Sequence, residues 1–187
     1  MEAGLRYVTL VLIAFWDLFL GIRARQANGR KLRTKYPLSK TIVYGLVFYI
    51  PLILLVLELL GLKLLPLPDS RFIQIAGFFF VLLGFVLRFV SMITLARGLG
   101  IPNQKRNRLV KEGIYNLVRH PIYTSLIMIY TGAFLVAQSY LFIAMFVLLA
   151  TQLYFRSKNE ERFLTSLFKG EYIKYKKRTK MFIPLLF

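Results

Sequence analysis

Cysteine is absent from the 187 residues, histidine occurs once, at His120, and Asp and Glu together number only eight. Each shortage excludes a chemistry. Without cysteine there is no disulfide, no thiolate nucleophile and no Cys-based metal site. A single histidine rules out a multi-His metal centre, and eight scattered acids argue against an all-carboxylate one, so no metal is expected. Any reaction must therefore draw on an organic cofactor, or on Arg, Glu, Tyr and the lone His.

Apolar residues are what the chain has in abundance: 57% are hydrophobic and 16% aromatic. That composition is that of an integral membrane protein. The net charge of +18 could suggest nucleic acid, but the basic residues fall between long apolar segments and not on a soluble amphipathic surface, so no nucleic-acid partner is expected. Five segments can each cross a bilayer, which takes roughly 20 apolar residues. They are Leu5–Ile22, Thr41–Leu62, Phe72–Ala96, Pro121–Ala137 and Tyr140–Phe155, the last two forming a tight hairpin around Gln138–Ser139. The first has no Ala-x-Ala-like cleavage site and carries Trp16 and Asp17, which reads as a retained anchor.

Charge sets the expected orientation. Seven Lys/Arg lie in 23–40, six in 97–120 and nine after Phe155. Five spans put these regions on one side, so the positive-inside rule places the N-terminus outside and the tail in the cytoplasm. From Lys158 to Lys180 the tail keeps Phe163, Leu164, Leu167, Phe168, Tyr172 and Tyr175 at helical spacing, the pattern of a helix lying on the membrane or over the bundle's cytoplasmic mouth. The expected fold is thus all-α: a polytopic membrane helix bundle of five spans with a C-terminal amphipathic cytoplasmic helix. Residues 1–187 form one membrane domain, with two spans in 1–70 and a core with its tail in 71–187.

Two polar clusters interrupt the apolar background. Pro121 opens the fourth span, where its missing N–H costs nothing, and His120 sits at the cap beside Arg119. A helix start of this kind favours an anionic group; the plainer alternative is a snorkelling Arg and an interfacial His. Glu160 and Glu161 run against the basic tail and follow the fifth span closely. The hairpin returns the chain to the side it left, so Arg119–His120 and Glu160–Glu161 can share one mouth, a mixed lining suited to a zwitterionic ligand. Alternatively the acids only favour the start of a tail helix. Inside the spans, Asp17 and Arg88 are candidates to pair, with snorkelling of Arg88 as the alternative; Glu58 is read as interfacial. Gly98-Leu99-Gly100 reads as a helix C-cap, with a cofactor-binding Gly-x-Gly as the alternative.

The motifs Leu109–Val110, Gly113-Ile114-Tyr115 and Arg119-His120-Pro121-Ile122-Tyr123, then Glu160–Glu161, Phe168, Tyr172, Tyr175 and Ile183–Pro184, resemble in order the isoprenylcysteine carboxyl methyltransferase family and its phospholipid methyltransferase relatives. The resemblance covers about residues 84–187. It implies a methyltransferase core with S-adenosylmethionine as cofactor, held by Arg108, Leu109, Val110, Tyr115, His120, Pro121, Ile122, Tyr123, Glu160 and Glu161. Arg119, Arg156 and Glu160 are implied at the catalytic centre, Arg156 matching the position of an arginine near the acceptor's carboxylate. The implied acceptor is lipophilic, a small molecule or prenylated peptide reached from the bilayer, foremost a carboxylate such as a C-terminal prenylcysteine. Phospholipid N-methylation is the alternative, followed by a nicotinamide-dependent site like that of the sterol reductases, and a non-enzymatic protein binding anionic lipid. The chain departs from the family in a short loop between Gly100 and Leu109, in Ser125, and in Lys169, where glycine is usual and Gly170 follows.

Overall fold

The computed structural model describes residues 65–99 and 108–183, with 4–6, 8, 9, 11, 53, 54, 56–58 and 60–62. Among these residues the protein is all-helical; the extended contacts are isolated bridges, not strands. The elements are α1 (Arg71–Leu99), a 3-10 turn (Gly113–Asn116), α2 (Pro121–Ala137), α3 (Leu141–Phe168) and α4 (Gly170–Arg178). They fall into two compact units, Met1–Phe79 with Thr131–Leu148, and Phe80–Tyr130 with Leu149–Phe187.

α1 is the one described helix long and apolar enough to cross a membrane, over Arg71–Arg97. Only 22% of its most apolar stretch is buried, the reverse of a soluble core helix, and Phe72, Phe79, Phe80, Leu83, Val86 and Phe89 stand exposed. Lipid is the medium in which such a surface is stable. α2 has the bounds expected of the fourth span but only 17 residues, a rise of about 25 Å. α3 begins as expected for the fifth span and does not stop at Phe155; it carries the acidic pair within its length and ends at Phe168. The first two expected spans, with Asp17, lie largely outside the described residues, as does the loop 100–107.

In the first unit, α2 turns into α3 through Gln138, whose φ of 58° is left-handed. That strain is held by a buried network: Gln74 Nε2 donates to Gln138 Oε1 at 2.8 Å, and Gln138 Nε2 donates to the Ser70 carbonyl at 3.0 Å. Ser139 donates to Glu58 Oε1 at 2.9 Å and accepts from the Leu141 N–H, starting α3. Glu58, read from sequence as interfacial, is therefore fully buried. α1 and α2 approach closely here because Gly77 has no side chain: a Cβ would lie 2.7 Å from the Gly132 carbonyl oxygen and 2.9 Å from the Val136 nitrogen.

In the second unit, Gly84 makes the same kind of approach to Ile129 and the Ser125 carbonyl. Arg88 is buried and its Nη1 donates to the Ile122 carbonyl at 3.4 Å. α3 and α4 are separated by Lys169 at φ 48°, ψ −124°, a conformation in which glycine alone avoids steric cost. The tail then folds back: Tyr172 and Tyr175 of α4 pack with Leu109, Leu164 and Phe168.

Candidate functional site

The start of α2 is built from two directions. The chain enters through the 3-10 turn, where Gly113 has φ 59°, and Tyr115 is fixed by the Tyr175 hydroxyl, which donates to its carbonyl at 2.6 Å. From the other end, residues 179–182 run alongside as a strap. The Arg119 N–H donates to the Lys180 carbonyl at 2.8 Å and the His120 N–H to the Met181 carbonyl at 3.1 Å. Thr124 Oγ1 donates to the Phe182 carbonyl at 2.9 Å. Pro121 has no N–H, and those of Tyr123 and Thr124 go to the His120 carbonyl. Little of the helix end is left to meet an anion through its backbone, so recognition here rests on side chains.

Two carboxylates adjacent in sequence have different surroundings. Glu161 is 1% exposed and lies between cations: Arg119 Nε at 2.7 Å from Oε1 and Lys176 Nζ at 2.7 Å from Oε2, with His120 Nε2 3.6 Å from Oε1. Arg119 also donates through Nη1 to the Thr179 carbonyl and, at 3.3 Å, to that of Lys176. Burial alone would push the Glu161 carboxyl up, but the His120 ring and the Lys176 and Arg119 cations outweigh it and hold it at about 2. An ionised, enclosed carboxylate tying α3, α4 and the strap to Arg119 is a structural hub.

Glu160, one position earlier, keeps a side chain 37% exposed. It accepts from the Tyr123 hydroxyl, and Arg156 Nε approaches its Oε1 at 3.5 Å. The Arg156 guanidinium lies over the Tyr123 ring, 5.7 Å from its centroid. His120 stacks on the same ring, centroids 5.5 Å apart and planes at 11°. Tyr123 is thus the centre of a layered group in which Arg156 and Glu160 remain open to an incoming molecule.

Beside this group is a cavity of about 230 Å³. Arg108, Leu109, Val110 and Tyr115 line it from the entering loop, Arg119 forms part of its wall, and Leu164, Phe168, Tyr172 and Tyr175 enclose it from α3 and α4. Burial pushes the Tyr175 phenol up to about 12 and raises that of Tyr115 further still, so both remain neutral donors. Arg108 pairs with Glu112 at the exposed rim.

The expected residues therefore gather in two places. Arg108, Leu109, Val110 and Tyr115 line the apolar cavity, while His120, Tyr123, Arg156, Glu160 and Glu161 form the polar group, and Arg119 touches both. Pro121 is buried in the first turn, and Ile122 contributes its carbonyl to Arg88 and Ser125. Sequence reasoning gave Lys176 no role, because one lysine in a basic tail carries no distinguishing signal. The backbone strap of Thr179, Lys180 and Met181 was equally hidden, since carbonyls have no sequence signature. Tyr172 and Tyr175 stand out in the sequence for their helical spacing and their place in the tail motif, neither of which assigns them to a cavity wall.

The sequence matches the family model for phospholipid methyltransferases over residues 72–171. Protein-S-isoprenylcysteine O-methyltransferase B of Arabidopsis thaliana is 24% identical over 195 residues, covering 99% of this chain and 96% of the relative. Cobalt-zinc-cadmium resistance protein CzcN of Cupriavidus metallidurans is 35% identical over 101 residues, 52% of this chain and 46% of that protein.

Proposed function

Since this chain belongs to the phospholipid methyltransferase family, we propose that it is a membrane methyltransferase using S-adenosylmethionine, and that its acceptor is a lipophilic carboxylate. The observation that carries this reading is the open Arg156–Tyr123–Glu160 group beside the cavity of Leu109, Val110 and Tyr115. The residues fit the cofactor's chemistry. An aromatic and aliphatic cavity suits a purine ring, Arg119 on its wall suits a carboxylate, and Glu160, still partly open, suits a cationic amino group or sulfonium. Glu160 does not line the cavity itself, so the bound molecule would extend from the apolar wall towards α3.

When bound, S-adenosylmethionine supplies a methyl group on a cationic sulfur, which passes to an acceptor oxygen and leaves a neutral thioether. The protein's part is alignment and exclusion of water. Leu109, Tyr172 and Tyr175 close off solvent from one side. Arg156, exposed on its outer edge, has donors left for an acceptor carboxylate, and Tyr123 and Glu160 fix the guanidinium's plane. A carboxylate acceptor is ionised at pH 7 and requires no general base. That suits a site whose only histidine is buried against Glu161. A phospholipid amine would have to lose a proton first, which makes N-methylation the second reading.

In this reading the chain has five spans, its N-terminus outside and its site in the cytoplasm, with the acceptor arriving from the bilayer. The test is calorimetry of purified protein in detergent. Wild type binds S-adenosylmethionine and not NADPH, and Glu160→Gln loses at least tenfold in affinity while keeping its helical circular dichroism. Unchanged affinity in that variant would remove Glu160 from the site. Radiolabelled methyl transfer into farnesylcysteine analogues and into a phospholipid extract, side by side, then separates the two acceptors.

A further inference from the structure

Arg119 also lines a second cavity, of about 350 Å³, whose lining is mainly basic: Arg119, Lys158, Lys176, Lys177 and Lys180, with Tyr154, Thr179 and Met181. Its charge is not balanced among the described residues. Glu161 is the one carboxylate that reaches the cluster among the described residues, and it is divided between Arg119 and Lys176. Lys158 is directed at the Tyr154 ring, 5.2 Å from its centroid. Lys177 and Lys180 are exposed at the rim. Three elements supply these cations: Lys158 from α3, Lys176 and Lys177 from α4, and Lys180 from the strap.

Gathering like charges in a concavity opposes folding unless a counter-charge fills it, and a concave basic surface concentrates anions. The number and type of donors narrow the choice. Lysines are point-charge donors that suit a phosphate, whose oxygens can be shared among several ammonium groups at once. We propose that this basic cavity is a binding site for a phosphate group, separate from the methyl-transfer site but sharing Arg119 with it. Because Arg119 also holds Glu161, next to Glu160, an occupant here tightens the contact between α3, α4 and the start of α2. Phosphate chemistry has two sources, the headgroup of an anionic phospholipid and a free phosphate.

The experiment measures binding to full-length protein in neutral detergent, without S-adenosylmethionine, so that its result is independent of the methyltransferase reading. The probes are short-chain phosphatidylglycerol, short-chain phosphatidylcholine and inorganic phosphate. Phosphatidylglycerol should bind and raise the melting temperature, and phosphatidylcholine should do neither. Binding of inorganic phosphate as well would make the free anion a sufficient ligand; its failure would assign the lipid headgroup. Combining Lys158→Gln, Lys177→Gln and Lys180→Gln should weaken binding about a hundredfold, at about fivefold for each lysine near the surface. The matching triple arginine variant should keep it, which separates loss of charge from loss of fold. The proposal is overturned if neither phosphatidylglycerol nor phosphate binds, if phosphatidylcholine binds equally well, or if the glutamine variant binds as tightly as wild type.

Discussion

Replacing Glu161 with glutamine keeps its shape and removes its charge, and the surroundings fix what should follow. The side chain is 2% exposed and that of Arg119 is 9% exposed, so neither charge is screened by water. Removing one partner of such a pair costs about 3–5 kcal/mol. The Thr179 and Lys176 carbonyls still accept from Arg119, which points to the lower end of that range. The acidity of the group gives a second measure: a fall from 4.5 to about 2 corresponds to about 3 kcal/mol of preference for the ionised form in the folded state. Because the folded-state value is depressed, this stability is fully present above about pH 4.5 and is lost as pH falls through about 2. Thermal melting in detergent at pH 7 should therefore show Glu161→Gln lower by roughly 6–12 °C on the scaling for domains of this size. The variant should also lose most of the wild-type slope of stability between pH 4.5 and pH 2. A variant that melts within a degree or two of wild type, with the same acid transition, would refute the assignment of Glu161 as the hub.

Three further outcomes are expected. Lys169→Gly should stabilise the protein by about 1 kcal/mol, because φ 48°, ψ −124° costs any residue with a Cβ; chemical denaturation would read this directly. Gly77→Ala should lower the melting temperature, since a methyl group 2.7 Å from a backbone oxygen costs up to about 3 kcal/mol of overpacking against a gain of about 1 kcal/mol in helix propensity. Tyr175→Phe should lose about 1 kcal/mol with its hydrogen bond to the Tyr115 carbonyl. In the wild type that contribution is present below pH 10 and is lost as pH rises towards about 12; because burial disfavours the phenolate by more than the hydrogen bond contributes, the wild type should become the less stable of the two in strong alkali.

Helix positions and site membership were legible in the sequence for different reasons. α1 and α2 declare themselves because apolar runs bounded by charge or proline have a direct physical meaning, and Pro121–Ala137 is found at its expected bounds. The end of α3 was not legible. Charge marks where an apolar span stops but not where a helix does, and Arg156, Lys158 and Glu160 are all good helix formers that carry it on to Phe168. The resemblance gives both acids to the cofactor and only Glu160 to the catalytic centre; in the structure the roughly 100° step between neighbours on a helix turns Glu161 towards Arg119 and Lys176 while Glu160 faces Tyr123 and Arg156. Lys169 was visible as a departure from the glycine usual at that place, and the left-handed backbone shows what the departure costs.

The strap of residues 179–182 bears on the order in which the protein is made. Arg119, His120 and Thr124 emerge from the ribosome long before Lys180, Met181 and Phe182, whose carbonyls hold them. Until those last residues are out, the start of α2 has neither its backbone partners nor the α4 lysine that shares Glu161. α1 can enter the membrane as it appears, but the start of α2 is completed only as synthesis reaches the strap. A nascent chain halted before Thr179 would thus be inserted, helical and without a closed site, so that insertion and competence are separate events in its biogenesis.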